Sequence, residues 1–210
     1  MKSFAFVALT ALASASALAQ TTFTLDFDGA EGYVNPILEF YNGGTDSLGQ
    51  SGTNFGVSFT SDAVGLSNDA LGPYYSNAPS PVTVLYAASN AAFMNVAAGI
   101  VGLLSFEYSS TVAVANAVKI YAGLNGTGAV LGSVFLLGNA NSGCNATAFC
   151  NFDMINVPFI GTARSVGFGG GSPKVLFDNV TITAVPEPGT YAMLLAGLGV
   201  VGLLARRRRF

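Results

Sequence analysis

The sequence predicts an all-β fold over residues 20–184, an antiparallel β-sandwich of jelly-roll type. Three observations predict it. Short segments rich in β-branched and aromatic residues recur between clusters of Gly, Asn, Ser, Asp and Pro. No long stretch of this body carries the 3.6-residue apolar period of a helix. About ten such segments with Gly-rich turns fit into a length that packs as two sheets, and no internal repeat is visible.

In chain order, residues 22–28 alternate, with Phe23, Leu25 and Phe27 on one face and Thr22, Thr24, Asp26 and Asp28 on the other. This is the pattern of a half-buried strand. A second apolar piece covers 37–41, a Gly/Asn/Asp/Ser-rich loop covers 42–53, and 54–60 alternates again through Phe55, Val57 and Phe59. Residues 66–81 contain Pro73, Pro79 and Pro81 around Tyr74 and Tyr75, and proline removes ladder donors, so no central strand is expected there. Strands follow over 82–88, 91–97 and 101–108, with Asn90 as the turn between the first two. The clearest hairpin joins 118–121 to 130–137 through Leu124-Asn125-Gly126-Thr127-Gly128, because Asn-Gly tolerates the positive φ of a tight return. The last strands are expected over 149–157, 163–169 and 174–183, with Gly169, Gly170 and Gly171 as a turn.

Charge and residue inventory exclude several function classes. The body has Lys119, Arg164 and Lys174 against ten acidic residues, so like charge disfavours nucleic acid and anionic lipid as partners. The chain has no histidine. That removes Ser-His-Asp and Cys-His catalysis and the usual zinc and copper ligand sets. No Gly-rich phosphate loop lies between a strand and a helix. The remaining catalytic option, a secreted glycan-active enzyme, needs a carboxylate pair, for which Glu39 and Glu107 are the candidates. The expectation is a non-catalytic protein. Cys144 and Cys150 are the only cysteines. In an exported chain they are expected to pair and brace a small loop, contributing about 2 kcal/mol.

Both ends read as addresses. Residues 1–19 have a basic start at Lys2, an apolar run from Phe4 to Leu18, and Ala17-Leu18-Ala19 in the small-x-small form of a signal-peptidase site. Cleavage there makes Gln20 the first residue. Residues 185–210 begin Val185-Pro186-Glu187-Pro188, continue through an uncharged Leu/Gly/Ala-rich run to Ala205, and end in Arg206, Arg207, Arg208, Arg209 and Phe210. The prolines favour an extended segment open to a protease cleft. The apolar run is short against the about 20 residues that span a hydrocarbon core, but with Pro188 to Thr190 included it is expected to form a single transmembrane helix across a thin bilayer, with the arginines on the cytoplasmic side. An ordinary C-terminal membrane anchor remains the alternative on these physical grounds.

These three parts, in this order over residues 185–209, resemble the PEP-CTERM sorting signal of Gram-negative bacteria that make exopolysaccharide. The resemblance implies that an exosortase recognises Pro186, Glu187 and Pro188 and removes the tail. The product would pass through an inner-membrane intermediate to the cell surface or the extracellular space, as a matrix or biofilm protein associated with exopolysaccharide and able to bind carbohydrate.

Two shorter resemblances concern the body. Phe177-Asp178-Asn179-Val180, followed by alternating residues, resembles the closing strand of jelly-roll carbohydrate-binding modules. It implies a structural calcium held by Asp178 with Asp26 and Asp28 near the first strand. The competing reading is a β-bulge at Asp178-Asn179 that switches the inward side from Phe177 to Val180 and Ile182. Residues 41–59 resemble the amino-terminal part of secreted bacterial β-sandwich proteins with this tail. Tyr41, Asn42, Thr45 and Asp46 there fit either sugar contacts or a tight surface loop.

Overall fold

A computed structural model describes residues 20–141, 147–185 and 197–199. The signal segment 1–19, Cys144, the sorting residues Pro186, Glu187 and Pro188, and Arg206, Arg207, Arg208 and Arg209 lie outside the described residues. Among the described residues no helix is long and apolar enough to cross a membrane.

Ten strands are described: β1 (Thr21–Leu25), β2 (Asn35–Pro36), β3 (Val57–Phe59), β4 (Ala63–Ser67), β5 (Thr83–Ala87), β6 (Phe93–Ser110), β7 (Val114–Tyr121), β8 (Val130–Leu136), β9 (Asp153–Gly167) and β10 (Val175–Ala184). Their ladders are antiparallel and connect in the order β2-β4-β5-β10-β6-β9-β7-β8, with β1 added to β10 and β3 to β6. The expected all-β, antiparallel class is therefore present. The ladders form one connected sheet, however, where two sheets were expected.

Two long strands explain the connection. Segments 91–97 and 101–108, expected as separate strands, are one strand of 18 residues, and 149–157 and 163–169 merge into one of 15. Glycines in or beside the expected gaps sit at register shifts: Gly99 and Gly102 take φ +104° and +79° in β6, and Gly161 takes +99° in β9. A residue with positive φ makes a bulge and a bend without ending the ladder. One core cluster then draws residues from β1 and from β3 through β10, so the bent sheet encloses a common interior. Phe106 lies edge-on to Phe168 and Phe177, with ring centroids 6.4 and 5.6 Å away.

Other departures have local causes. β1 stops at Leu25 because Phe27 adopts φ +63°, which sends its ring into the core against Tyr41 and Phe59. Residues 37–41 bury Ile37, Phe40 and Tyr41 as expected for an apolar piece, but they do so from turns, with Leu38 at φ +48°. The hairpin β7-β8 and its Leu124–Gly126 turn and the turn at Asn90 match the sequence reading. Of residues 66–81, expected to hold no central strand, Leu66 and Ser67 end β4, which lies between β2 and β5, and the prolines act only on the residues after them. Cys150 is disulfide-bonded and buried.

Ser109, fully buried in β6, has a side-chain hydroxyl without a hydrogen-bond partner. A desolvated, unpaired hydroxyl costs about 1–3 kcal/mol. Ser109→Ala is expected to stabilise the protein by about 1 kcal/mol, raising the thermal midpoint by about 2–4 °C for a chain of this size. A lowered midpoint in a calorimetric scan contradicts this packing.

Candidate functional site

The three acids assigned to calcium do meet at one corner, and the residue that organises them was not singled out by the sequence. β10 pairs with β6 in register through Asp178, opposite Glu107, and the register then shifts before Thr181. Asn179, at φ +46°, occupies the shift. This is the bulge reading of Asp178-Asn179: Phe177 and Val180 both point inward, and Asp178 is buried between them. Its carboxylate accepts the Ser80 N–H at 2.9 Å and the Asn179 N–H at 2.7 Å. Asp28 accepts the N–H groups of Val82 and Thr83, each at 3.0 Å. The Asp26 carboxylate takes the Tyr41 hydroxyl at 3.4 Å, and the Asp26 carbonyl takes the Ser80 hydroxyl at 2.9 Å. The segment Pro79-Ser80-Pro81 is thus pinned between the end of β1 and the bulge of β10.

These oxygens face N–H and O–H donors, whereas a calcium ion requires oxygens turned toward an empty centre. Among the described residues no three of His, Cys, Asp and Glu assemble as a metal-binding group. The geometry at Asp178 favours a proton instead. The Ser80 Oγ lies 2.8 and 2.9 Å from the two Asp178 oxygens and 2.9 Å from the Asp26 carbonyl, yet it has one proton. With Asp178 protonated, one carboxyl oxygen donates to Ser80 and Ser80 donates onward to Asp26, so two of these three contacts have a hydrogen, where an ionised Asp178 leaves one. Burial, with a further contribution from the Asp28 charge, pushes the Asp178 carboxyl up to about 7 despite its backbone donors.

The proposed carboxylate pair is not assembled by shared partners. Glu39 lies in the turns after β2 and accepts Asn42 Nδ2 at 2.6 Å, while Glu107 sits in β6 and is reached by Asn179 Nδ2 at 3.5 Å. In the 41–46 segment Asn42 and Thr45 are exposed, while Tyr41 and Asp46 are taken up by the fold. The Tyr41 ring is in the core, and Asp46 is buried, accepting Asn35 Nδ2 at 2.7 Å and the N–H groups of Leu48 and Gln50 at 2.9 and 2.8 Å.

A groove of roughly 380 Å³ opens elsewhere, lined by Tyr33, Tyr74, Tyr86, Phe149, Leu176 and neighbouring residues. Tyr33 is 60% exposed, and its ring centroid lies 5.3 Å from that of Tyr74 at an interplanar angle of 36°. The Tyr74 hydroxyl donates to Asp69 at 3.1 Å, which fixes that ring. The far wall is the segment entering Cys150: Phe149 bridges to Tyr75, and the Ser76 N–H donates to the Phe149 carbonyl at 2.9 Å. Phe149 of this wall directly precedes the disulfide-bonded Cys150. The sequence signal was the Tyr74-Tyr75 pair between prolines, which was read only as a strand exclusion.

At the opposite end of β10, Ala184 is the last strand residue and the Val185 N–H donates to the Gly99 carbonyl at 2.9 Å. Residues 184–209 match the PEP-CTERM protein-sorting motif. The chain thus carries that sorting domain, which marks an exported protein held transiently in the membrane and targeted to an exosortase as its processing partner. No curated protein and no solved structure matches the chain.

A carboxyl whose folded pKa is raised binds its proton more tightly in the native state than in the unfolded one. Its stabilising contribution is complete below the unfolded value of 3.8 and is lost as pH rises toward about 7. Thermal midpoints measured across this window are expected to show this decline in the native sequence and not in Asp178→Asn, which is also expected to lose about 1–3 kcal/mol because an amide nitrogen meets a backbone N–H. Parallel profiles for the two proteins contradict a protonated Asp178.

Proposed function

We propose that the body, residues 20–184, is a non-catalytic carbohydrate-binding protein that works at the cell surface or in the exopolysaccharide matrix of a biofilm after the tail is removed. The tail supports the destination, since an exosortase substrate is handed outward. The tyrosine groove supports the ligand class and is the observation that carries it. The C–H faces of a pyranose ring pack on aromatic rings, and hydroxyl and amide groups at the rim set its orientation. Tyr33 and Tyr74 offer adjoining faces held at a fixed tilt. The cost in lost side-chain freedom on binding is lowered at Tyr74, whose hydroxyl is already tied to Asp69. An acidic body favours a neutral glycan over an anionic one.

Affinity electrophoresis through gels containing hydroxyethylcellulose, a neutral glucan, tests this reading. The native protein is expected to be retarded without releasing reducing ends, and Tyr33→Ala and Tyr74→Ala are each expected to weaken retention about tenfold, the loss of about 1.4 kcal/mol of stacking. Equal mobility of native and variant proteins contradicts the assignment.

A further inference from the structure

Of the three cations of the body, Arg164 and Lys174 are exposed and Lys119 is half-buried. Among the described residues the Lys119 ammonium has no ion pair and no hydrogen bond. A partly desolvated ammonium without a counter-charge gives up hydration that nothing described in the chain replaces.

Lys119 lines a pocket of roughly 190 Å³, separate from the tyrosine groove and sharing no residue with it. The pocket exists because one strand position has no side chain. Val118 and Ile120 of β7 enter the core, so Lys119 and Tyr121 lie on the other face. Gly167 of β9 pairs with Phe93 of β6 on one side and with Lys119 on the other, and directly opposed residues share a face. A Cβ at Gly167 would lie 2.9 Å from Phe93 Cε1 and 3.4 Å from Tyr121 Cε2, so a larger residue there would fill the space beside the two rings. Those rings meet edge-on, 6.1 Å apart. The rim is the glycine turn after β9. A Cβ at Gly169 would run into the Asn90 backbone and one at Gly170 into the Asn116 carbonyl, so only glycines let this turn close against both. Asn90 and Asn116 line the same pocket, and the Ser133 hydroxyl donates to Asn116 Oδ1 at 2.6 Å, which leaves Asn116 Nδ2 as a donor. No carboxylate lines the pocket, in a body with ten acidic residues.

We propose that this pocket binds a carboxylate-bearing sugar unit, a hexuronate, with its carboxylate on Lys119. The volume is below the roughly 300–1,000 Å³ of pockets for drug-sized ligands, which limits the occupant to one small unit. One cation balances the single charge of a carboxylate, whereas a phosphate ester brings about −1.5 to −2. The Phe93 and Tyr121 rings suit the C–H body of a sugar, and the two amides suit its hydroxyls. The acidity of the body acts at longer range and is screened beyond about 10 Å at 0.1 M salt, so it does not decide what a lining free of carboxylates accepts. A free sugar acid and a uronate residue within a polysaccharide present the same group to Lys119.

Calorimetric titration of the protein recovered from exporting cells, at constant ionic strength, tests the site with galacturonate, its neutral methyl ester and acetate. Galacturonate is expected to bind about tenfold or more tightly than either of the others, the ester lacking the charge and acetate the ring. Lys119→Met, which keeps the length of the side chain, is expected to remove that preference, and Lys119→Arg to retain it; Lys174→Met is expected to leave it unchanged. Retardation in a gel containing polygalacturonate, lost in Lys119→Met, identifies the source as a polysaccharide; titration with galacturonate but no retardation identifies the free sugar acid. Galacturonate that binds no better than its methyl ester or acetate overturns the proposal without recourse to any variant. So does galacturonate binding that Lys119→Met leaves intact, or the absence of binding by both galacturonate and its polymer.

Discussion

The pairing of β10 is the constraint on which the rest of the structure depends. This strand is bonded to β6 along one side, and along the other first to β5 and then, past Asn179, to β1. The first strand of the body therefore closes onto the last. The change of neighbour coincides with the bulge at the left-handed Asn179, and before it Val175, Leu176, Phe177 and Asp178 are all buried because clusters cover both faces of the strand. In an unbroken strand Asp178 and Phe177 would face opposite sides. Asp178 precedes the bulge, shares the face of Leu176, which a second apolar cluster covers, and finds its donors in the proline-flanked Ser80 and in Asn179 at the bulge. A polar group buried this way is tolerated because each of its contacts has a partner.

The same strand relates the body to its fate. The sorting motif begins at Ala184, the last residue of β10, and Val185 is still bonded to Gly99. The last strand of the body thus ends at Ala184, before Pro186, Glu187 and Pro188. A polypeptide that gives up its C-terminus requires this order. The groove at Tyr33 and Tyr74 is likewise lined by residues upstream of Val185.

How much of this was legible in the sequence depended on the distance over which each feature is determined. The β7-β8 hairpin was readable because Asn125-Gly126 and its flanking alternation are local. The class was readable from periodicity. The connected ladder was not, because Gly99, Gly102 and Gly161 carry the same local signal whether they end a strand or bulge it, and the neighbouring strand decides which. Residues 37–41 showed their burial through hydrophobicity but not their turns, which depend on Leu38 adopting an unusual φ. At the acid corner the proximity of Asp26, Asp28 and Asp178 was anticipated. Their partner Ser80 lies about a hundred residues from Asp178 in sequence and has no distinguishing local pattern. The sorting signal was the most legible part, since its proline, apolar and arginine segments are contiguous.

Intact mass measurement of the protein recovered from the surface or medium of its producing cells tests the central claim most directly. The account predicts a chain that lacks residues 1–19 and ends near Pro186, Glu187 and Pro188, with Arg206, Arg207, Arg208 and Arg209 gone. A recovered chain that retains those arginines contradicts it.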